Sequence, residues 1–185
     1  MRTGTMPTPD SAAMAAFHRA VAEHSDALKT FATRMLGDSL GAEDVAQDAF
    51  LALYRHLEQV PASAFRPWLF RVARNLCLDQ LRRRKFKLRL FRDVERDDDN
   101  PLTPVDHRAD RPDEIAEMRE SEAQIEAAIA QIPQRFREVF LLCEIQGLSY
   151  EDASAILGCP VKTISTRLFR ARQRFREALG DEVKV

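Results

Sequence analysis

The stretch LSYEDASAILGCPVKTISTRLFRARQRFR, residues 148–176, predicts two helices joined by a tight turn. Ser149 is placed to accept backbone amides at the start of the first helix, and the acid Asp152 follows three residues later, as in a capping box. Gly158 can take the left-handed conformation that ends a helix. Pro160 stands where the second helix begins, because that position needs no amide hydrogen. The pattern is that of a helix-turn-helix.

The second of these helices divides into an apolar face and a basic face. Apolar residues recur with helical spacing from Val161 to Phe175, which predicts one buried stripe. Lys162 to Arg176 contains six basic residues and no acid, whereas a merely soluble helix normally mixes both signs. Short polar side chains in the first turn can hydrogen-bond base edges, so the pattern favours DNA binding, although a helical hairpin with a solvated basic face shows it too. The predicted DNA face comprises Lys162, Thr163, Ser165, Thr166, Arg167, Arg170 and Arg174.

Length and composition indicate one or two small soluble domains. Of the 185 residues, 45% are hydrophobic and 31% charged, and no apolar run has the length that spans a bilayer. The first ten residues lack an apolar signal core, so we expect a cytoplasmic protein. Cys77, Cys143 and Cys159 are odd in number and far apart, which predicts reduced thiols and no disulfide or zinc set. The four histidines show no metal-ligand spacing, so we expect neither a metal nor a cofactor.

The net charge of −1 conceals strong segregation along the chain. Residues 66–92 hold ten basic side chains against the single acid Asp79, and residues 93–122 hold twelve acids against four bases. A basic block, an acidic block and a basic helix in succession indicate separate surfaces for separate partners.

Helical periodicity predicts three helices in a first domain, residues 11–86. The first helix covers Ser11 to Leu36, the second runs from Gly41 to about Leu57, and the third covers residues 65–84. Residues 1–10, rich in proline and threonine, are predicted to be disordered.

The second helix carries an acidic patch at its start. Asp44, Gln47 and Asp48 have the spacing i, i+3 and i+4, which places them on one side of the helix. Acids in a first turn stabilise the helix dipole, and this is the simpler explanation. The same compact patch could dock a basic partner.

The third helix has an outer side rich in arginine, with Phe65, Trp68 and Phe70 nearby. Basic residues beside aromatic ones are typical of a surface that binds single-stranded nucleic acid. They are equally typical of any amphipathic helix with an arginine-rich end, and the pattern does not decide between the two. The outer side includes Arg71, Arg74, Asn75, Asp79, Arg82 and Arg83.

Helical periodicity is lost in residues 87–114, which contain three prolines and the run Asp97–Asp99. This segment is predicted to be a linker, because it is too polar to offset its ordering entropy by burial. Periodicity resumes in residues 115–180, which predict about four helices ending in the helix-turn-helix. Since no β pattern of any length occurs, we expect an all-α fold with two small helical domains joined by a flexible acidic linker.

Three blocks of the chain resemble bacterial sigma factors of the extracytoplasmic-function (ECF) group, within the sigma-70 superfamily. GAEDVAQDAFLALYRHL, residues 41–57, resembles the part of region 2 that binds core RNA polymerase. FRPWLFRVARNLCLDQLRRRK, residues 65–85, resembles the part that melts promoters and reads the −10 element. Residues 132–172 resemble region 4, which reads the −35 element. The three blocks occur in the family's order and spacing.

The resemblance implies roles for particular residues. Asp44, Gln47 and Asp48 match the motif that docks on the clamp helices of the largest polymerase subunit, and the loop from Glu58 to Phe65 matches one that captures a flipped base. The second domain corresponds to the one that meets the flap of the second polymerase subunit. The −10 set implied is Phe65, Arg71, Arg74, Asn75, Asp79, Arg82 and Arg83, and the −35 set is Lys162, Thr163, Ser165, Thr166, Arg167, Arg170 and Arg174.

The resemblance implies a transcription initiation factor that is monomeric when free, does no covalent chemistry, is not inserted in a membrane, and is controlled by an anti-sigma factor. Three other functions compete with it: a free-standing helix-turn-helix regulator, a sigma mimic that only sequesters an anti-sigma factor, and an enzyme acting on nucleic acid. The regulator leaves the acidic patch and the block at 65–85 without a purpose, and the mimic has no need of the arginine-rich helices. The sequence contains no nucleophile–base pair, phosphate loop or metal set to support an enzyme.

Overall fold

The computed structural model describes residues 11–92 and 114–180 of the chain, with side chains described for 11–89 and 120–180. Within these ranges the ordered elements are helices and no strand occurs. The prediction of an all-α fold is therefore confirmed. The predicted disordered segment 1–10 and most of the predicted linker lie outside the described residues.

Three helices build the first domain: α1 (Ser11–Leu36), α2 (Ser39–Arg55) and α3 (Phe65–Arg92). A short 3₁₀ turn, Ala62–Ala64, leads into α3. The bounds of α1 match the prediction. Helix α2 starts two residues earlier than predicted, because Asp38 acts as its N-cap and accepts a hydrogen bond from the backbone amide of Leu40 at 3.1 Å.

Helix α3 is longer than predicted and continues through the first residues of the expected linker to Arg92. The predicted helix ended at Arg84 because apolar periodicity is lost after it, but no glycine or proline occurs from Lys85 to Arg92 to end the helix. Arg84 also anchors this part of α3, since its guanidinium lies 2.5 Å from Asp38 Oδ2 and donates to the carbonyl of Leu36 at 3.2 Å. These contacts hold α3 against the α1–α2 junction at Arg84, directly before the unpredicted extension.

The second domain begins with α4 (Glu114–Gln131) and α5 (Gln134–Phe140), separated by Pro133 as predicted. Helix α5 passes into a π-helical turn, Leu141–Ile145, before Gly147 turns the chain at φ 62°. Arg137 covers the end of α4 by donating to the carbonyl of Ile132 at 3.1 Å.

Helices α6 (Tyr150–Leu157) and α7 (Val161–Leu179) form the predicted helix-turn-helix. The Ser149 hydroxyl accepts from the Asp152 amide at 3.0 Å and donates to the Asp152 carboxylate at 2.9 Å. Gly158 ends α6 with φ 64° and ψ 37°, which is the left-handed conformation predicted for it.

The apolar faces of the helices meet in one continuous core. In the first domain Phe31 and Phe70 pack edge to face, with ring centroids 5.4 Å apart. In the second, Ile164 and Leu168 of α7 are fully buried, as predicted. Val161, predicted to join the same stripe, is 39% exposed, because it lies in the first turn of α7 at the margin of the packed surface.

The two domains lie against each other, and buried residues from both belong to the same core cluster. Arg34 of α1 forms an ion pair with Glu126 of α4 at 2.7 Å. Arg66 of α3 donates to the carbonyl of Gln146, next to the helix-turn-helix. The polar contacts across this boundary are made largely by arginines of the first domain.

Candidate nucleic-acid and protein-binding surfaces

Helix α7 presents the predicted −35 face to solvent. Its buried side, centred on Ile164, Leu168 and Ala171, packs into the second domain and turns the opposite side outward. The Thr166 hydroxyl donates to the carbonyl of Lys162 at 3.0 Å, which leaves its lone pairs free to accept. Lys162, Ser165, Thr166, Arg170 and Arg174 are exposed, and Thr163 and Arg167 are half-buried.

The arginines of α7 differ in whether the protein already neutralises them. Arg172 pairs with Glu144 at 2.6 Å, and this hydrogen bond raises the pKa of Arg172. Arg174 pairs with Glu177 at 3.1 Å. In the described part of the chain, Arg170 has no carboxylate partner and lies 6.0 Å from the centroid of the Phe136 ring.

Arg135 is a basic residue on this side of the domain that the sequence patterns did not single out. Its guanidinium lies 4.6 Å from the same Phe136 ring that Arg170 approaches. The two arginines come from α5 and α7, so only the tertiary contact of these helices brings them together. Arg135 thus extends the positive surface of α7 onto α5, and the Phe136 ring lies near both guanidinium groups.

The acidic patch of α2 is exposed, as its spacing predicted. The side chains of Asp44, Gln47 and Asp48 form no hydrogen bond with any other side chain or backbone group of the described residues. Leu40 and Leu51 flank the patch on the same helix and are 75% and 51% exposed. Since i and i+11 fall on one side of a helix, this surface combines an acidic centre with apolar ends. The two leucines were not predicted, although their spacing could have identified them.

The outer side of α3 carries most of the predicted −10 set. Arg71, Asn75, Asp79, Arg82 and Arg83 are exposed to solvent. Arg82 donates to the Asp79 carboxylate at 3.0 Å, an exposed pair one turn apart. A surface ion pair of this kind is weak and opens readily for a competing phosphate.

Arg74 differs from its neighbours because it already forms an ion pair with a residue of the second domain. Its Nε lies 2.8 Å from Oε2 of Glu138 on α5, whose side chain is almost completely buried. Gln134 donates to the other carboxylate oxygen of Glu138 at 3.5 Å. In this arrangement Arg74 is therefore not available to DNA.

Phe65 also differs from the prediction, since it is buried in the core with 4% of its surface exposed. It begins α3, directly after the 3₁₀ turn, and the residues exposed there are Pro61, Ala62 and Ser63. Trp68 is half-buried and packs against His56, with ring centroids 5.8 Å apart. The aromatic residues at the start of α3 thus serve the fold in this arrangement.

Cys77 and Cys143 lack the lowered pKa of reactive thiols. Burial, followed by the charge of Glu138, raises the pKa of Cys77 to about 12, and burial and Glu144 raise that of Cys143 to about 11. Both thiols are thus protonated near neutral pH. Among the residues with described side chains, 11–89 and 120–180, no group of three or more His, Cys, Asp or Glu could hold a metal ion. None of the described helices is long and apolar enough to cross a membrane.

The chain matches models of two regions of one protein family, and it is similar to several solved structures. Residues 20–87 match sigma-70 region 2, and residues 122–175 match sigma-70 region 4. The ECF RNA polymerase sigma factor SigE of Mycolicibacterium smegmatis is 33% identical to this chain. The alignment covers 94% of this chain and 65% of that relative. The ECF sigma factor SigW of Bacillus subtilis is 30% identical over 90% of both chains. The sigma factor RpoE of Bartonella quintana, solved with the anti-sigma factor NepR, superposes with a TM-score of 0.70 and 25% identity, over 91% of this chain and 98% of that one.

Proposed function

Because this chain belongs to the ECF group of sigma-70 factors, we propose that it works through three separate surfaces, one for core RNA polymerase and two for promoter DNA. It is a transcription initiation factor that directs RNA polymerase to particular promoters. The observation that supports the assignment of surfaces is the simultaneous exposure of a cationic face on α7, a cationic face on α3 and an acidic face on α2.

The face of α7 reads the −35 element. The first turn, with Lys162, Ser165 and Thr166, enters the major groove and meets base edges, since recognition helices use their N-terminal residues in this way. Arg170 has no carboxylate to compete for it among the described residues, so it is free to bind a phosphate. The half-buried Arg167 and the paired Arg174 contribute at the edge of this surface.

The face of α3 binds the −10 element and helps to open it. Arg71, Asn75 and Arg82 lie on the exposed side, where cationic and amide groups can follow a separated strand. Arg74 joins this surface only when Glu138 moves away, which requires the second domain to leave α3. Phe65 likewise needs a local rearrangement before it could meet a base.

The face of α2 docks on core polymerase, with Asp44, Gln47 and Asp48 on the clamp helices of the largest subunit. Exposed leucines at both ends of the patch support a protein partner, because apolar residues beside charges are a common composition of protein interfaces. The second domain meets the flap of the second subunit. No covalent chemistry is needed for any of these steps.

An anti-sigma factor is the remaining partner. The Bartonella RpoE structure was solved with the anti-sigma factor NepR, and its similarity to this chain covers 91% of this chain and 98% of that one. The arrangement in which Glu138 covers Arg74 is thus compatible with a sequestered form. We place the chain in the cytoplasm, where polymerase and promoters are.

Transcription in vitro with core RNA polymerase tests the proposal. The purified chain, free of any inhibitor, should direct core enzyme to discrete start sites in a genomic promoter library. A mobility-shift assay separates the main competitor, because a free-standing regulator should bind duplex DNA tightly alone and a sigma factor chiefly with core enzyme. Failure to initiate at any discrete site would refute the assignment.

A further inference from the structure

The unpredicted extension of α3 continues the proposed −10 face beyond the residues already assigned to it. Arg71, Asn75, Arg82, Phe86 and Arg89 follow one another at spacings of four, seven, four and three. These are the spacings that keep side chains on one side of an α-helix. From Arg82 to Arg89 the helix adds about 10 Å to the length of this face.

Phe86 is unusual on this extension because 64% of its surface is exposed. Lys85, Lys87 and Arg89 beside it are exposed as well, and no ion pair is formed by any of the three within the described residues. Arg84 points to the other side of the helix, where Asp38 and the carbonyl of Leu36 hold it. This anchor orients the helix so that the phenyl ring and its cationic neighbours face outward.

A phenyl ring among cations that pair with no described carboxylate fits one class of ligand, single-stranded nucleic acid, better than others. Single-stranded nucleic acid offers a base on which the ring can stack and phosphates that neutralise the surrounding charges. Paired bases in a duplex keep their faces stacked on each other and offer only phosphates. The match to the region 2 family model ends at residue 87, so Phe86 lies near its end and Arg89 just after it.

We propose that Phe86, with Lys85 and Arg89, binds single-stranded DNA adjoining the −10 element. Phe86 stacks on an unpaired base, and the two cations contact phosphates on either side of it. At about 3.4 Å per nucleotide, the added helix length reaches roughly three nucleotides of a strand. This inference rests on the proposed function of α3 and adds a contact that holds a strand once it is separated.

Leu88 provides a matched control on the same helix. It is 56% exposed, which is close to the exposure of Phe86, but lies two positions away and therefore roughly 200° around the helix. Truncating either side chain removes an exposed apolar group without opening a core cavity. A difference between the two variants therefore reports on the face and not on the loss of hydrophobic surface.

The test measures fluorescence anisotropy of the full chain with two probes, an oligothymidylate of about 20 nucleotides and a duplex of similar length. Phe86→Ala should weaken binding to the single strand roughly tenfold, and Leu88→Ala should change it by no more than about twofold. Phe86→Trp should retain binding. Arg89→Ala should make the dependence on salt shallower by about 0.7 in log–log slope.

Equal losses for Phe86→Ala and Leu88→Ala would overturn the proposal, as would binding of the duplex and the single strand with equal affinity and no dependence on Phe86. Circular dichroism shows whether each variant keeps the helical fold. Transcription with core polymerase distinguishes failure of the Phe86 contact from failure of the proposed function. If the wild-type chain initiates transcription while Phe86→Ala binds the oligonucleotide normally, only this contact is wrong; if the chain does not initiate, the proposed function is wrong.

Discussion

Gly158 sets the angle between α6 and α7 and hence the direction of the proposed recognition helix. Its φ of 64° lies in the left-handed region, where a Cβ atom is unfavourable. Gly158→Ala should lower the free energy of unfolding by about 1–2 kcal/mol, and Gly158→Asn by less, because asparagine tolerates this conformation. Urea denaturation followed by circular dichroism measures both. A Cβ built at Gly158 meets no atom within 4 Å, so side-chain size does not limit this position. Equal losses for the two variants would therefore contradict the explanation from backbone conformation.

Asp38 couples the start of α2 to Arg84 of α3 and makes that junction sensitive to pH. Burial raises the pKa of Asp38, but hydrogen bonds from Arg84 and from the backbone amides of Gly41 and Leu40 outweigh burial and hold it below its ordinary value. A carboxylate with a lowered pKa in the folded state stabilises the fold above the unfolded pKa of about 3.9, and this contribution is lost as pH falls through the folded pKa.

Asp38→Asn should therefore reduce the free energy of unfolding at neutral pH, and the difference from wild type should shrink below about pH 4. Urea denaturation of both proteins at a series of pH values measures the difference. A difference that is independent of pH would mean that Asp38 acts through its hydrogen bonds alone, without its charge.

Helix α2 separates a buried structural face from the proposed polymerase-binding face. Its buried side is formed by small and apolar residues, so changes on the outer side leave packing intact. Asp44→Lys with Asp48→Lys should abolish pull-down of core polymerase while the circular dichroism spectrum stays helical, because the docking charges are reversed. Glu23→Lys with Asp26→Lys on α1 makes the same change of net charge and should leave binding intact. Retained binding by the α2 variant would show that the patch is misassigned.

Helix α7 allows base contacts to be distinguished from phosphate contacts. Arg167→Ala and Arg170→Ala should each weaken promoter binding by the polymerase complex. If the side chain contacts a phosphate, the loss should be similar for all promoters and the log–log salt slope shallower by about 0.9; if it contacts a base, the loss should depend on promoter sequence. Arg172→Ala is the control, since Glu144 already neutralises that arginine. An equal effect of Arg172→Ala would mean that net charge alone matters.

The contact between the two domains covers Arg74, one residue of the proposed −10 surface. Glu138 is buried and holds Arg74, so a phosphate must displace a carboxylate to reach this arginine. Glu138→Gln should weaken the contact between domains, because it leaves Arg74 without its counter-charge in a largely buried position.

If the weakened contact lets the two domains separate, the radius of gyration of Glu138→Gln should increase, which small-angle X-ray scattering measures. Glu126→Gln is the control, because its pair with Arg34 is half-exposed and surface pairs contribute little. An unchanged radius for Glu138→Gln, with the fold intact by circular dichroism, would mean that apolar contacts alone hold the domains together.

Local features were predictable from the sequence because their causes lie within a few residues. Ser149 and Gly158 are sufficient to position the helix-turn-helix, and helical spacing alone places Asp44 and Asp48 on one exposed side. The all-α fold and the basic outer faces of α3 and α7 follow from the same short-range rules. The family followed as well, because its motifs are contiguous blocks of sequence.

Only the tertiary structure showed which of the predicted residues are already paired or buried within the protein. Glu138 lies 64 positions from Arg74, and Asp38 lies 46 positions from Arg84, so no local pattern relates either pair. The burial of Phe65 and the exposure of Phe86 likewise depend on which helices pack against α3. Contacts between residues distant in the chain depend on the shape of the packed helices, and periodicity along a single helix does not contain that information.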